Sequence, residues 1–373
     1  MHSKQTKIHL LSIGPGDDLY AWFGHSALII TQPSGSKVMY DWGIFDPNQE
    51  HFYLNFARGR MYYHVAASEA TWRIADALEE VRDVSLVELN LTDEAKFALI
   101  SFLHTHIQGS NSTYLYHFYD DNCATRIRDI INAATDGAFK SWTDEQPLQP
   151  SMRNQVMRSM IHSPGIFWVL DFLQGPSIDQ DLSVYDTMFL PHQLEKAVLD
   201  FSYPDGTSLA LSREVLQDTK DLDVRFAVDT SERSYIWFYA LVGSAFALLL
   251  FIIGLRFPTL KRLLFGLVLF ALGLLGTLLL FMMSFSDMDM TYFNENILFV
   301  NPLLFIAAFR ILFTKRSQTR LLAVYSSIMV ALLIGKFMFP TMLDQDNLRV
   351  LMLLLPLYLS GSSLKGGAHR ETR

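Results

Sequence analysis

The C-terminal third restricts this chain more than any other feature. Five apolar runs, at 235–255, 263–283, 297–313, 321–339 and 348–360, are interrupted by few charges. A helix of about twenty apolar residues crosses the hydrocarbon core of a bilayer, so these runs read as membrane spans. Basic residues gather in alternate connections: Arg256, Lys261 and Arg262, then Lys315, Arg316 and Arg320, then Lys365, Arg370 and Arg373. The connections between them hold Asp287, Asp289 and Glu295, or Asp344 and Asp346. Positive charge stays on the cytoplasmic side, so five spans would place everything before them outside the cytoplasm. The expected division is a head over 1–232, with the composition of a water-soluble domain, and a helical bundle over 233–373.

A net charge of -8 without a basic stripe argues against nucleic acid as a partner. The first eleven residues are too short and polar for a signal peptide, so an exported head implies a signal outside this sequence. Within the head, 8–13 reads as a strand stopped by Gly14-Pro15-Gly16, and Asp17 and Asp18 can cap a short helix over 19–23. Residues 25–30 and 37–45 flank the turn Pro33-Ser34-Gly35-Ser36 and read as a hairpin. Helices are expected over 67–80, 92–107, 124–134, 152–160 and 192–199, and a strand over 84–91.

The one cysteine, Cys123, follows Asp120-Asp121-Asn122, all helix-starting residues, and opens an amphipathic stretch carrying Ile127, Ile130 and Ile131. A thiol at a helix N-terminus is biased toward thiolate by the free N–H groups and the helix dipole. The bland alternative is a buried cysteine acting as a small apolar residue. A cysteine nucleophile needs a base and a group that orients it. Among the eleven histidines, His25 stands out because it opens an apolar strand beside Trp22-Phe23-Gly24, although a structural histidine would also fit. A hairpin turn centred on 33–34 places Asp41 opposite His25 or on the diagonal, within touching distance. A one-residue slip would offer Tyr40 or Trp42 instead, and Asp46, His51 and His64 are further candidates. The histidines lack metal-ligand spacing, and neither a G-x-S-x-G elbow nor a phosphate loop occurs, so no cofactor is expected.

Three segments carry a resemblance: Phe23-Gly24-His25-Ser26-Ala27-Leu28, Tyr40-Asp41-Trp42-Gly43-Ile44-Phe45-Asp46, and Phe118-Tyr119-Asp120-Asp121-Asn122-Cys123-Ala124-Thr125. They resemble the signatures of the Lnb N-terminal periplasmic domain family. Met188-Phe189-Leu190-Pro191 and Asn301-Pro302-Leu303 extend the likeness over nearly the whole chain. The order histidine, polar residue, cysteine is similar to the circularly permuted papain-like fold of NlpC/P60 and lecithin:retinol acyltransferase proteins. Asp41 stands where an amide or another polar residue is expected.

The resemblance implies an α+β papain-like head outside the inner membrane and a multi-span tail. It implies a lipoprotein N-acyltransferase that moves an acyl chain from a phospholipid, through a Cys123 thioester, to the N-terminal amine of a diacylated lipoprotein. Cys123, His25 and Asp41 would be catalytic. Trp22, Tyr119, Asp121, Asn122 and Arg126 would bind substrate. Beside the short third span, Asn294, Glu295, Asn296 and Asn301 are polar groups that are costly unless employed. Asn296 and Asn301 would line the path of lipid head groups, or else these residues only mark the outer interface or pair between helices. Two rivals use the same residues differently: a membrane-tethered cysteine peptidase or amidase of cell-wall peptides, and a non-catalytic lipoprotein-binding module.

Overall fold

The computed structural model describes residues 6–46, 50–160, 162–220, 235–314 and 318–362. Lys315, Arg316 and the basic tail lie outside these. The chain forms two compact units, Met1–His162 with Gln180–Thr230, and Ser163–Asp179 with Ser231–Arg373.

The first unit is built on a seven-stranded antiparallel sheet. Its strands are β1 (Lys7–Ile13), β2 (His25–Thr31), β3 (Lys37–Ile44), β4 (Tyr62–Glu69), β5 (Val84–Leu89), β6 (Thr113–Leu115) and β7 (Ala210–Gln217), in the order β6-β4-β3-β2-β1-β5-β7. Successive side chains leave a strand on opposite faces, so one strand serves two cores. Ile8, Leu10, Leu28, Ile30, Tyr40 and Trp42 pack with Ile127 and Ile131, Leu99 and Leu103, and Leu194 and Val198 of the helices on one face. Leu11, Ile13, Ala27, Ile29 and Met39 pack with Ala70 and Ala77 on the other. Burial of both faces is why β1 and β2 read as almost unbroken apolar runs.

Two expectations in the head are corrected. The helix anticipated from residue 67 begins at Ala70, because Ala67, Ser68 and Glu69 extend β4 by pairing with Tyr40, Met39 and Val38. Strand β7, missed in the sequence, is an edge strand with mostly exposed side chains, and it is held by its pairing with β5.

In the second unit, Ile236–Arg256, Pro258–Phe285, Glu295–Phe313 and Thr319–Met338 are long and apolar enough to cross a membrane. The fifth apolar run forms a shorter helix, Leu348–Ser362, of 15 residues with Pro356 inside it. At 1.5 Å per residue it extends about 22 Å, less than the roughly 30 Å hydrocarbon core. It packs tightly all the same. A Cβ added at Gly243 would collide with the Leu353 carbonyl oxygen, so the helices approach backbone to backbone.

The same unit includes an excursion of the chain, Ser163–Asp179, containing the helix Pro164–Leu173. Asp171 and Arg349, 0% and 1% exposed, pair at 3.0 Å. The Phe172 carbonyl accepts from the side-chain amides of Asn294 and Asn296 at 2.9 and 3.0 Å. Gly175 N–H donates to the Met290 carbonyl at 2.7 Å, and Gln345 donates to the Gln174 carbonyl at 3.0 Å. These buried polar groups are thus paired with one another.

Candidate active site

Strands β2 and β3 bring the first two candidates together. Their register pairs Ala27 with Asp41, which puts His25 on the diagonal and on the same face. His25 Nε2 lies 2.5 Å from Asp41 Oδ1, and both side chains are largely buried. Nδ1 is then the ring nitrogen left for the thiol. The Cys123 side chain is hydrogen-bonded to His25, and it also receives the backbone N–H of Ser26.

Cys123 is the first residue of the helix Cys123–Ala134, and the cap explains why it is held there. Asn122 Oδ1 accepts from Ala124 N–H and Thr125 N–H at 2.8 and 3.0 Å, and Thr125 Oγ1 accepts from Asn122 N–H at 2.7 Å. Asn122 Nδ2 donates to the carbonyls of Phe118 and Phe189 at 2.8 and 3.0 Å. Every donor and acceptor of this amide is engaged, so none is left for a substrate. The backbone N–H of Cys123 itself has no acceptor among the described residues.

The electrostatics favour an ion pair. Burial would pull the His25 pKa down, but the Asp41 carboxylate and the Cys123 thiolate outweigh it and push His25 up to about 10. Burial likewise opposes a charged Cys123, yet the His25 imidazolium and the Ser26 N–H lower the thiol below its ordinary value. Each group stabilises the charged form of the other.

Of the other expected residues, Asp121 and Arg126 form a two-pronged pair that is partly exposed, with the Arg126 guanidinium 4.3 Å over the Tyr114 ring. Tyr119 is buried against Phe189. Trp22 is buried, donates its indole N–H to the Asp17 carbonyl and meets the His162 ring edge-on. Asn296 and Asn301 belong to the second unit. Besides its bond to Phe172, Asn296 accepts from Asn347, and Asn301 bonds the Ile297 carbonyl and the Tyr325 hydroxyl.

The sequence reading missed Ser26, Gly43 and Phe189. Ser26 and Phe189 act through their backbones, which no side-chain pattern announces. Gly43, at φ +87°, lies where the β3–β4 pairing shifts register, and a Cβ there would be 3.9 Å from Cys123 Cβ. Its place beside Asp41-Trp42 is the one legible sign.

The family model of the Lnb N-terminal periplasmic domain matches residues 1–158, and that of the Lnb transmembrane domain matches residues 235–364. The chain belongs to the Lnb family. It is a membrane protein of the Lnb type with a periplasmic domain. No curated protein and no solved structure matches it.

In this Lnb chain, Met188-Phe189-Leu190-Pro191 acquires a physical role, since the Phe189 carbonyl pins the cap of the cysteine helix. Asn122→Ala is expected to cost about 2–4 kcal/mol, from the lost cap and the buried groups left unpaired. Thermal denaturation measures it. A variant as stable as the parent would remove Asn122 from that anchoring role, whereas Asn122→Asp, which keeps the cap acceptor, should fall between.

Proposed function

We propose that this protein is a lipoprotein N-acyltransferase working through a Cys123 thioester, with His25 and Asp41 completing a papain-like triad. The observation that carries the reading is the Cys123–His25–Asp41 chain of contacts at a helix N-terminus with a free Cys123 N–H. Membership in the Lnb family supports it.

The Cys123 thiolate attacks an ester carbonyl carbon of a phospholipid, forming the C–S bond. The oxyanion that develops is held by the Cys123 N–H, with the helix dipole aiding. Collapse breaks the ester C–O bond, and the His25 imidazolium gives its proton to the departing alkoxide, so lysophospholipid leaves. Neutral His25 then takes a proton from the lipoprotein's N-terminal amine as that nitrogen attacks the thioester. The C–S bond breaks, an amide forms, and the thiolate–imidazolium pair returns. Asp41 holds the imidazole and supports its charge in both halves. The amine's ordinary pKa near 8 leaves enough of the neutral form at neutral pH.

Covalent storage suits two lipid substrates that use one site in turn. A membrane unit keeps such an enzyme where both substrates reside, with the head on the periplasmic side of the inner membrane.

Intact-mass analysis after incubation with a phospholipid of defined chains tests the reading. One acyl group should appear on Cys123, be released by hydroxylamine, and be absent from Cys123→Ala. A chain that never acquires it from any phospholipid would sink the thioester mechanism.

A further inference from the structure

A groove of about 1340 Å³ runs beside the cysteine helix in the first unit. Arg126, Ile130 and Ala133 on one wall lie three, seven and ten residues beyond Cys123, along the helix stripe that begins at the thiol. Ala98 and Phe102 of the helix Asp93–His106 form the other wall, and Trp42, next in sequence to Asp41, lies at its base. Phe102 is 48% exposed, an apolar ring left without a full cover. Trp42 is fully buried, and its indole N–H has no acceptor among the described residues.

We infer that this groove receives the aliphatic chain of the acyl group that Cys123 carries. Resting on the acyltransferase reading above, this names where the transferred chain lies while the thioester waits. Three features favour that occupant. The helix face that lines the groove runs back one turn from Arg126, its first lining residue, to Cys123, to which the chain would be bonded. At 1.5 Å per residue, the helix stretch to Ala133 gives a wall of about 15 Å. Facing alanines leave width for a chain while Phe102 and Ile130 offer it apolar contact. The rim carries the carboxylates of Glu94, Asp136 and Asp205. A free fatty acid, itself anionic, is disfavoured there, whereas a chain whose carboxyl carbon is esterified carries no charge.

Cys123 is the only cysteine, so a chain can be tethered there chemically. A long-chain alkyl iodoacetamide with a terminal diazirine is coupled to the full-length protein in nanodiscs, irradiated, and its cross-links mapped by peptide mass spectrometry. Cross-links should fall in peptides covering 93–106 and 126–136. The substitutions Ala98→Trp and Ala133→Trp, which fill the groove from solvent-exposed positions, should abolish them. Cross-links confined to other segments, or unchanged in the filled protein, would overturn the inference.

A second measurement separates this from the function itself. Because each buried methylene contributes appreciably, acyl-adduct formation from long-chain phosphatidylethanolamine should drop at least about tenfold in the filled protein. Adduct from a short-chain phosphatidylethanolamine should persist. Equal loss for both lengths would also overturn the groove assignment. If the unsubstituted protein forms no adduct from any donor while the tethered chain still maps to the groove, the acyltransferase reading falls and the chain site stands.

Discussion

Given phospholipid alone, the protein is expected to release about one equivalent of lysophospholipid and then stop, its acyl group held on Cys123. A transferase thioester waits for an amine in a site that excludes water, whereas a hydrolase admits water and turns over. Adding a diacylated lipopeptide with a free N-terminal amine should restart release and give a triacylated product. N-acetylating that lipopeptide should prevent the restart, since an amide nitrogen is a very poor nucleophile. Cys123→Ala should show neither burst nor product. Continuous release without lipopeptide would mean a lipid hydrolase. Cleavage of cell-wall peptides with no adduct would favour a peptidase.

The second large effect concerns His25. In the intact protein the thiolate–imidazolium pair should persist from the lowered thiol pKa up to about pH 10, where His25 loses its proton. Alkylation of Cys123 by iodoacetamide near pH 6.5 should therefore be faster than that of an unperturbed cysteine thiol. In His25→Ala the imidazolium is gone, and burial and the Asp41 carboxylate push the thiol up against the Ser26 N–H alone. At pH 6.5 the thiolate fraction then falls, and alkylation slows with it. Acyl transfer should suffer a further loss of about 10²–10⁴-fold, because the proton donor to the leaving alkoxide is gone too. Asp41→Asn keeps the imidazole but removes the charge that raises its pKa. Its alkaline limit should move down from about pH 10, with a smaller loss of rate. Identical alkylation profiles in the parent and His25→Ala would dismiss His25 as the partner of the thiol.

The hairpin made this geometry legible in advance. Turn chemistry at Pro33-Ser34-Gly35-Ser36 and alternation along β2 and β3 confine Asp41 to few positions relative to His25, and the diagonal pairing in the structure is one of them. The start of the cysteine helix was equally open to reading, because Asn122 and Thr125 are capping residues whose effect is local. What escaped depends on distant parts of the chain. β7 is polar and exposed, and only its partner β5 makes it a strand. Residues 67–69 favour a helix by themselves, and β3 overrides that preference. The polar residues near the third span drew notice as costly groups in an apolar setting, yet the partner of Asn294 and Asn296 is the Phe172 carbonyl, more than a hundred residues earlier. No periodicity in the membrane segments could point to it.

The excursion through Ser163–Asp179 changes what it means to call the head tethered. A single-linker anchor would be undone by one proteolytic cut between residues 221 and 234. Here the fragment before that cut still carries Ser163–Asp179, whose buried ion pair and hydrogen bonds with the rest of the second unit hold the two fragments together non-covalently. Shedding the head then requires, besides that cut, either pulling Ser163–Asp179 out of its contacts or cutting the chain on both sides of it. A head produced alone as residues 1–220 would carry Asp171 without Arg349 and the Phe172 carbonyl without its asparagines. The periplasmic unit of this chain is therefore not a detachable domain on a stalk, and the 17 residues that it lends to the membrane unit have to be removed or resurfaced before it can be studied in water.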